Sequence, residues 1–460
     1  MITRRNLLSS LIATAGATAF APSMSLAGLQ QSLSTEKKIP WKNWSGSQVC
    51  YPDARKAPAS IEELRELIVS ATGNIRPVGS GHSFTALVPT DDTIVSISRL
   101  SGMVSHDSSN NTSVIQAGTR LGDIGGPLAE AGQALINMPD IDEQTLAGAL
   151  GTATHGTGAG IGCLPSFVEG LQLVTANGEI LECDRNNNPE IFNAARVNLG
   201  ALGVVTQVRL QNQPSYRLKR EIKCRPIEEI LENADTLANE NRNFEFYYIP
   251  FSGMGFEDTQ NLTTEPESST EKTDQNDGVE TLKTLRNALS WSSTIRELSI
   301  GTYMKTIKDE MTIANSWQNY ATERNVRFNE MEYHLPRETG LDAFREIRET
   351  VERDFPEVFF PFEVRFVKSD DIWLSPFFER ESISIAVHRY HSEDYKPMFK
   401  AVEAIFKKHG GRPHWGKINT MTGPELAAHY KHWGDFKEVR QTLDPQGKFL
   451  NPYLKSIFEV

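Results

Sequence analysis

The apolar positions of Ile61–Ser70 recur at helical spacing, and Ser60, with Glu63 three residues on, is placed to cap that helix. Beyond it the period shortens. Residues 93–97, 112–117, 171–176, 180–183 and 204–210 are short apolar runs bounded by turn residues and read as strands, with helices over 121–131 and 189–197 between them. From about residue 214 the texture changes to longer helices and amphipathic strands: strands at 327–333, 358–367 and 383–390, helices over 339–354 and 396–409. The mixture predicts an α+β protein with one α+β domain over 38–213 and a second beginning at about 214. A chain of 460 residues suits two domains, since single cores rarely grow beyond about 250–300 residues. Residues 257–278 are acidic, Ser/Thr-rich and nearly without large apolar groups, which predicts a mobile insertion.

Two strands carry chemistry on one face. Side chains alternate along a strand, so Glu363 and Arg365 share one side while Phe362, Val364 and Phe366 share the other. In the next strand Ile383, Ile385 and Val387 lie opposite Ala386, His388 and Tyr390. If the two strands pair, their polar sides form one pocket wall.

Charge and leader narrow the class. With 47 basic against 59 acidic residues the net charge is −12, so attraction to a phosphate backbone is not a general binding force and nucleic acid is not an expected partner. Residues 1–27 read as an export signal: Arg4-Arg5 precedes a short apolar stretch ending at Ser25-Leu26-Ala27. The arginine pair points to the twin-arginine machinery, with a general secretory signal or a retained amphipathic anchor as the alternatives. The stretch is too short to span a bilayer, so the mature chain is expected to be periplasmic or secreted and without a transmembrane segment. The four cysteines, Cys50, Cys163, Cys183 and Cys224, either pair or stay buried and free, and the sequence leaves this open. His388 with His391 and His429 with His432 lack a third ligand of obvious spacing, so no metal site is expected.

The turn Arg76-Pro77-Val78-Gly79-Ser80-Gly81-His82-Ser83-Phe84 can bring backbone N–H groups close to a phosphate. It is not a nicotinamide dinucleotide fingerprint, because Phe84 takes the place of the third glycine. Together with Thr145-Leu-Ala-Gly148, Gly151 to Gly158, Leu199 to Thr206, Met331-Glu-Tyr333, Glu363-Val-Arg365 and Pro413-His-Trp-Gly-Lys417, it resembles the aldonolactone oxidase and alditol oxidase group of the vanillyl-alcohol-oxidase flavoproteins. The resemblance runs from about Trp41 to Tyr453.

The resemblance implies a two-domain FAD-binding fold of the PCMH type, in which an α+β cap over 214–411 holds substrate and a closing segment over 412–460 returns to the FAD domain. It implies that His82 is joined covalently to FAD. Pro77, Val78, Gly79, Ser80, Gly81, Ser83, Thr145, Gly148, Ala149, Leu150, Gly151, His155, Gly203, Val204, Val205 and His414 would hold the rest of the cofactor. Lys417 would stand beside the flavin, and Glu363, Arg365 and His388 would complete the catalytic set. Asp140 and Tyr390, with Glu363, Arg365, His388 and Lys417, would meet a small sugar-derived substrate. The group's alditol oxidases have an alanine–serine pair where this chain has Pro139-Asp140, and a threonine where it has Tyr390. The anionic Asp140 alters what meets the substrate there, and the bulkier Tyr390 favours a smaller or flatter substrate such as a sugar lactone over a long open polyol. The implied activity is oxidation of a CH–OH group with O₂ as acceptor. The alternatives are a dehydrogenase of the same fold using a quinone or cytochrome, and a non-catalytic sugar- or lactone-binding flavoprotein. Cys163 lies outside the motif of a second flavin bond.

Overall fold

The computed structural model describes residues 38–268, 273–274, 276–289, 291–323 and 326–460. The signal read at 1–27 lies outside them. The helix Ile61–Ser70 forms as expected, with the Glu63 amide donating to Ser60 Oγ at 3.1 Å. The short-period strands of the first half build two sheets. One is five-stranded and antiparallel, ordered Ile180–Asp184, Val168–Val174, Val204–Gln211, Thr112–Gln116, Met103–Asp107. The other is three-stranded and parallel, with Thr93–Ser96 between Ala54–Lys56 and Ile75–Val78. The expected helix over 121–131 divides into a 3₁₀ turn, Leu121–Asp123, and the helix Gly125–Glu130.

The second half forms one eight-stranded antiparallel sheet. Its order is Glu310–Asn315, Arg217–Pro226, Met254–Thr263, Asn243–Ile249, Phe362–Val367, Ser382–Tyr390, Phe328–Pro336, Arg412–Pro413. The expected pairing is present, with Glu363 opposite Ala386 and Arg365 opposite Ser384. On its apolar side lie the helices Ile227–Glu240, Arg337–Asp354 and Lys396–Lys408, whose buried stripes include Ile230, Phe344, Ile347, Val402 and Phe406. Phe246 meets Phe344 edge to face at 5.4 Å, and Tyr333 stacks on Phe406 at 4.8 Å.

The insertion expected over 257–278 is corrected. Met254–Thr263 is an inner strand of this sheet, paired on both sides. Its polar residues are buried because they meet polar partners: Asp258 accepts from Arg220 Nε at 2.9 Å, and both side chains are almost fully buried. Low apolar content therefore does not imply mobility when each buried polar group is matched. Residues 264–268 are exposed, and a helix begins at Asn276. Residues 269–272 and 275 lie outside the described set.

The end of the chain returns to the first half. Ile75 donates to the Lys448 carbonyl, Asn74 to that of Leu450, and Asn451 to those of Ala86 and Pro89. Arg76 is fully buried and fans out to the carbonyls of Leu87, Leu199, Gly200 and Phe449. Burial pushes its pKa down to about 9, and carbonyls alone, rather than a carboxylate, satisfy it. It pins the glycine turn from behind. The four cysteines are free, and among the described residues no helix is long and apolar enough to cross a membrane.

Candidate active site

The glycine turn lines a cleft with Thr145, Gly148, Gly151, Thr152 and Gly203–Val205, with about 940 Å³ of empty space including its open mouth. The amides of residues 79–83 donate to no acceptor among the described residues, which leaves a row of N–H groups for an anionic ligand. A Cβ on Gly79 would stand 2.1 Å from Thr145 Oγ1, and Gly203 has φ +145° with Val174 O against its Cβ position. Both positions need glycine if the cradle is to keep its shape. These features fit the pyrophosphate and adenosine parts of FAD. The side chains of Ala149 and Leu150 belong to the core, which leaves their backbone groups for the cofactor side.

His82 closes the turn. Its ring stacks on Trp44 at 5.4 Å, and burial, aided by Lys417 and Arg120, lowers its pKa to about 4, so the imidazole is neutral. A smaller cavity joins His82, Ser83 and Phe84 to Glu330, His414 and Lys417. Here the turn meets the polar side of the eight-stranded sheet.

That side is a row of buried ionisable groups. The Lys417 ammonium pairs with Glu330 and lies 5.3 Å above the Phe84 ring. His388 donates from Nδ1 to the Pro361 carbonyl at 3.0 Å, with Nε2 facing Glu330 Oε1 at 3.5 Å. Tyr247 donates its hydroxyl proton to Glu363 at 2.8 Å, and its oxygen lies 3.0 Å from Glu245 Oε1. Arg365 donates to Glu332 Oε1 at 2.6 Å, with Asp140 at 3.7 Å and Glu363 at 3.8 Å.

Burial would raise the Glu330 carboxyl, but the Lys417 ammonium against it outweighs burial and holds the group ionised. Burial likewise opposes the charge on Arg365, and Glu332, Glu363, Asp140 and Glu245 overcome it. Glu245 goes the other way, raised to about 8 by burial, Asp258 and Glu363 against the pull of Arg365. It stays protonated near neutral pH among its acidic neighbours.

Lys417, Glu363, Arg365, His388 and Asp140 therefore come together as expected. Two expected positions differ. His155 does not line the cofactor cleft: its ring is 2% exposed and bonds Glu332 and the Gly156 carbonyl. Tyr390 lies at the edge of the pocket, under Lys283 and packed on Phe360, because the strand's last turn of pleat carries it past the Glu/Arg pair. Glu330 and Glu332 were missed, although Glu330, Glu332 and His334 alternate in the same way as Glu363 and Arg365. Two clusters have metal-ligand spacing, Glu330/Glu363/His388 and His155/Glu332/His334, but Lys417 and Arg365 already sit against their carboxylates.

Residues 52–184 match the family described as FAD binding domain, and residues 208–457 the one described as D-arabinono-1,4-lactone oxidase. The L-gulono-1,4-lactone dehydrogenase of Mycobacterium tuberculosis is 36% identical over 91% of this chain and 98% of its own length. The L-gulonolactone oxidase of Bos taurus is 32% identical over 92% and 99%. The cholesterol oxidase structure from Brevibacterium sterolicum has a TM-score of 0.76 over 91% of this chain and 96% of that one, at 17% identity, and so shares the fold. With more than half of its length matched by the lactone-oxidase family and the FAD cradle in front of it, this chain belongs to the D-arabinono-1,4-lactone oxidase family of FAD-dependent oxidoreductases.

Proposed function

We propose that the protein oxidises a CH–OH group of an aldonolactone or related sugar alcohol. The observation that carries this reading is the meeting of Lys417, Glu330, His388, Glu363 and Arg365 on one buried wall, directly beside the His82 turn. When bound, FAD supplies the hydride acceptor. Pro77–Ser83, Thr145, Gly148, Gly151 and Gly203–Val205 hold it, and the neutral His82 imidazole is free of the proton that would block covalent attachment.

Arg365 and Glu363 bind and orient the hydroxyl groups, one as donor and one as acceptor. His388, anchored through Nδ1, presents Nε2 to take the hydroxyl proton, and the imidazolium so formed has Glu330 3.5 Å away. Lys417 stabilises the negative charge that develops on the alcohol oxygen. Asp140 beside Arg365 narrows the pocket and favours a compact lactone. O₂ is the acceptor in this reading, and the 36% identical relative that is named a dehydrogenase supports a second, in which another acceptor replaces it. The segment 1–27 directs the protein to the periplasm or exterior.

The test is an absorption spectrum before and after acid precipitation, then anaerobic addition of aldonolactones and polyols. Yellow colour kept in the pellet and bleached by a lactone is expected. Colour released to the supernatant removes the covalent role of His82, and failure of every panel member to bleach it overturns the activity. Reoxidation by air supports the oxidase, whereas reoxidation by dye alone supports the dehydrogenase.

A further inference from the structure

His155 and His388 are anchored alike, each with Nδ1 against a backbone carbonyl, Gly156 at 2.8 Å and Pro361 at 3.0 Å. Their other nitrogens differ. Nε2 of His388 stands 3.5 Å from Glu330, whereas Nε2 of His155 lies 3.0 Å from Glu332 Oε1, within hydrogen-bond distance. A carbonyl and an ionised carboxylate are both acceptors, so a ring that satisfies both carries a proton on each nitrogen. The groups packed around it agree. His334 and His414 lie 5.0 and 5.9 Å away, Phe377 5.1 Å, and Arg365 shares the same Glu332 oxygen. His414 accepts the Gly416 amide at Nδ1, and burial keeps both His334 and His414 neutral, leaving one cationic ring among the three.

Arg365 has three carboxylates within reach but only Glu332 at hydrogen-bond distance. Glu332 therefore decides which way the guanidinium faces. His155 in turn decides where Glu332 sits, from a loop whose neighbour Thr152 lines the cofactor cleft. We propose that Glu332, clamped by a doubly protonated His155, is the positioning residue that aims Arg365 at the substrate and ties that aim to the cofactor side of the site. The inference rests on the reading of Arg365 as a substrate-binding group.

Three measurements on the flavin-loaded protein test it. In ¹⁵N-histidine NMR at neutral pH, the resonances lost in His155→Gln should show two protonated ring nitrogens in the unmodified protein. A deprotonated Nε2 overturns the clamp, and this readout needs no activity. Glu332→Gln should keep its flavin and raise KM for the lactone about tenfold or more while kcat changes less than about threefold, with Glu332→Asp in between. An unchanged KM, or kcat falling in step with lost flavin, overturns the positioning role. Should Glu332→Gln fail to fold, Glu332→Asp carries the same KM test. Arg365→Ala separates the two ideas: an unmoved KM there defeats the substrate-binding reading itself, whereas a raised KM with Glu332→Gln and Glu332→Asp normal defeats only this inference.

Discussion

On one face of the eight-stranded sheet, Phe246, Tyr248, Phe362, Val364, Ile385 and Tyr333 pack against three helices. On the other, one residue along the same strands, Arg220, Asp258, Glu245, Glu363, Arg365, His388, Glu330 and Glu332 are just as buried. Burial is equal and chemistry opposite. The apolar face is held by area removed from water, about 25 cal/mol per Å². The polar face holds together only because each charge has a partner, and an ion pair in such a setting is weak evidence for stability. The difference teaches that stability alone does not explain the second face, whose Glu330, Glu363, Arg365 and His388 are the groups the proposed reaction uses.

Substitutions can break or sharpen this contrast. The largest effect is expected from Lys417→Ala, which should lower turnover by about 10²–10³-fold in the flavin-loaded protein, read by steady-state kinetics normalised to flavin absorption, with a lower melting temperature because Glu330 is left buried without its counter-ion. Near-normal turnover would falsify the role given to Lys417. On the apolar face, Phe344→Ala should cost about 4 kcal/mol in denaturant unfolding and leave KM unchanged in the folded fraction. A stable variant with altered KM would mean that the two faces are not separable.

Asp258→Ala should cost about 3 kcal/mol by leaving Arg220 buried without its counter-ion. The pH profile comes next. Burial lowers His414 from 6.5 to about 3, so the unfolded chain takes up that proton first. Stability is full above about pH 6.5 and falls as pH drops toward 3, by about 2 kcal/mol at pH 5. Thermal unfolding across that range, repeated with His414→Gln, should show a shallower slope in the variant; equal slopes would reassign the dependence. The smallest change is expected from the double replacement Arg220→Met with Asp258→Leu, within about 1 kcal/mol of the original. A large loss would mean that this pair stabilises the fold in its own right.

Much of this was legible beforehand. The helix Ile61–Ser70, the strands around Thr112–Gln116 and Val204–Gln211, and the faces of Phe362–Val367 and Ser382–Tyr390 follow from period and capping. The cofactor turn and Lys417 followed from resemblance in short motifs. Met254–Thr263 was misread because its polar residues look like loop when their partners are unknown. His155 was placed with the cofactor because its motif adjoins the cleft, while its ring turns the other way to Glu332.

By itself the sequence determined the α+β class, the alternation that separates the two faces, and the glycines that let backbone approach a phosphate, because these depend on neighbours within a few residues. Only the tertiary structure decided that the polar face is buried, which carboxylate holds Arg365, and which histidine is left neutral. Those outcomes depend on desolvation and on charges brought together from strands far apart in the chain, and no local pattern records either.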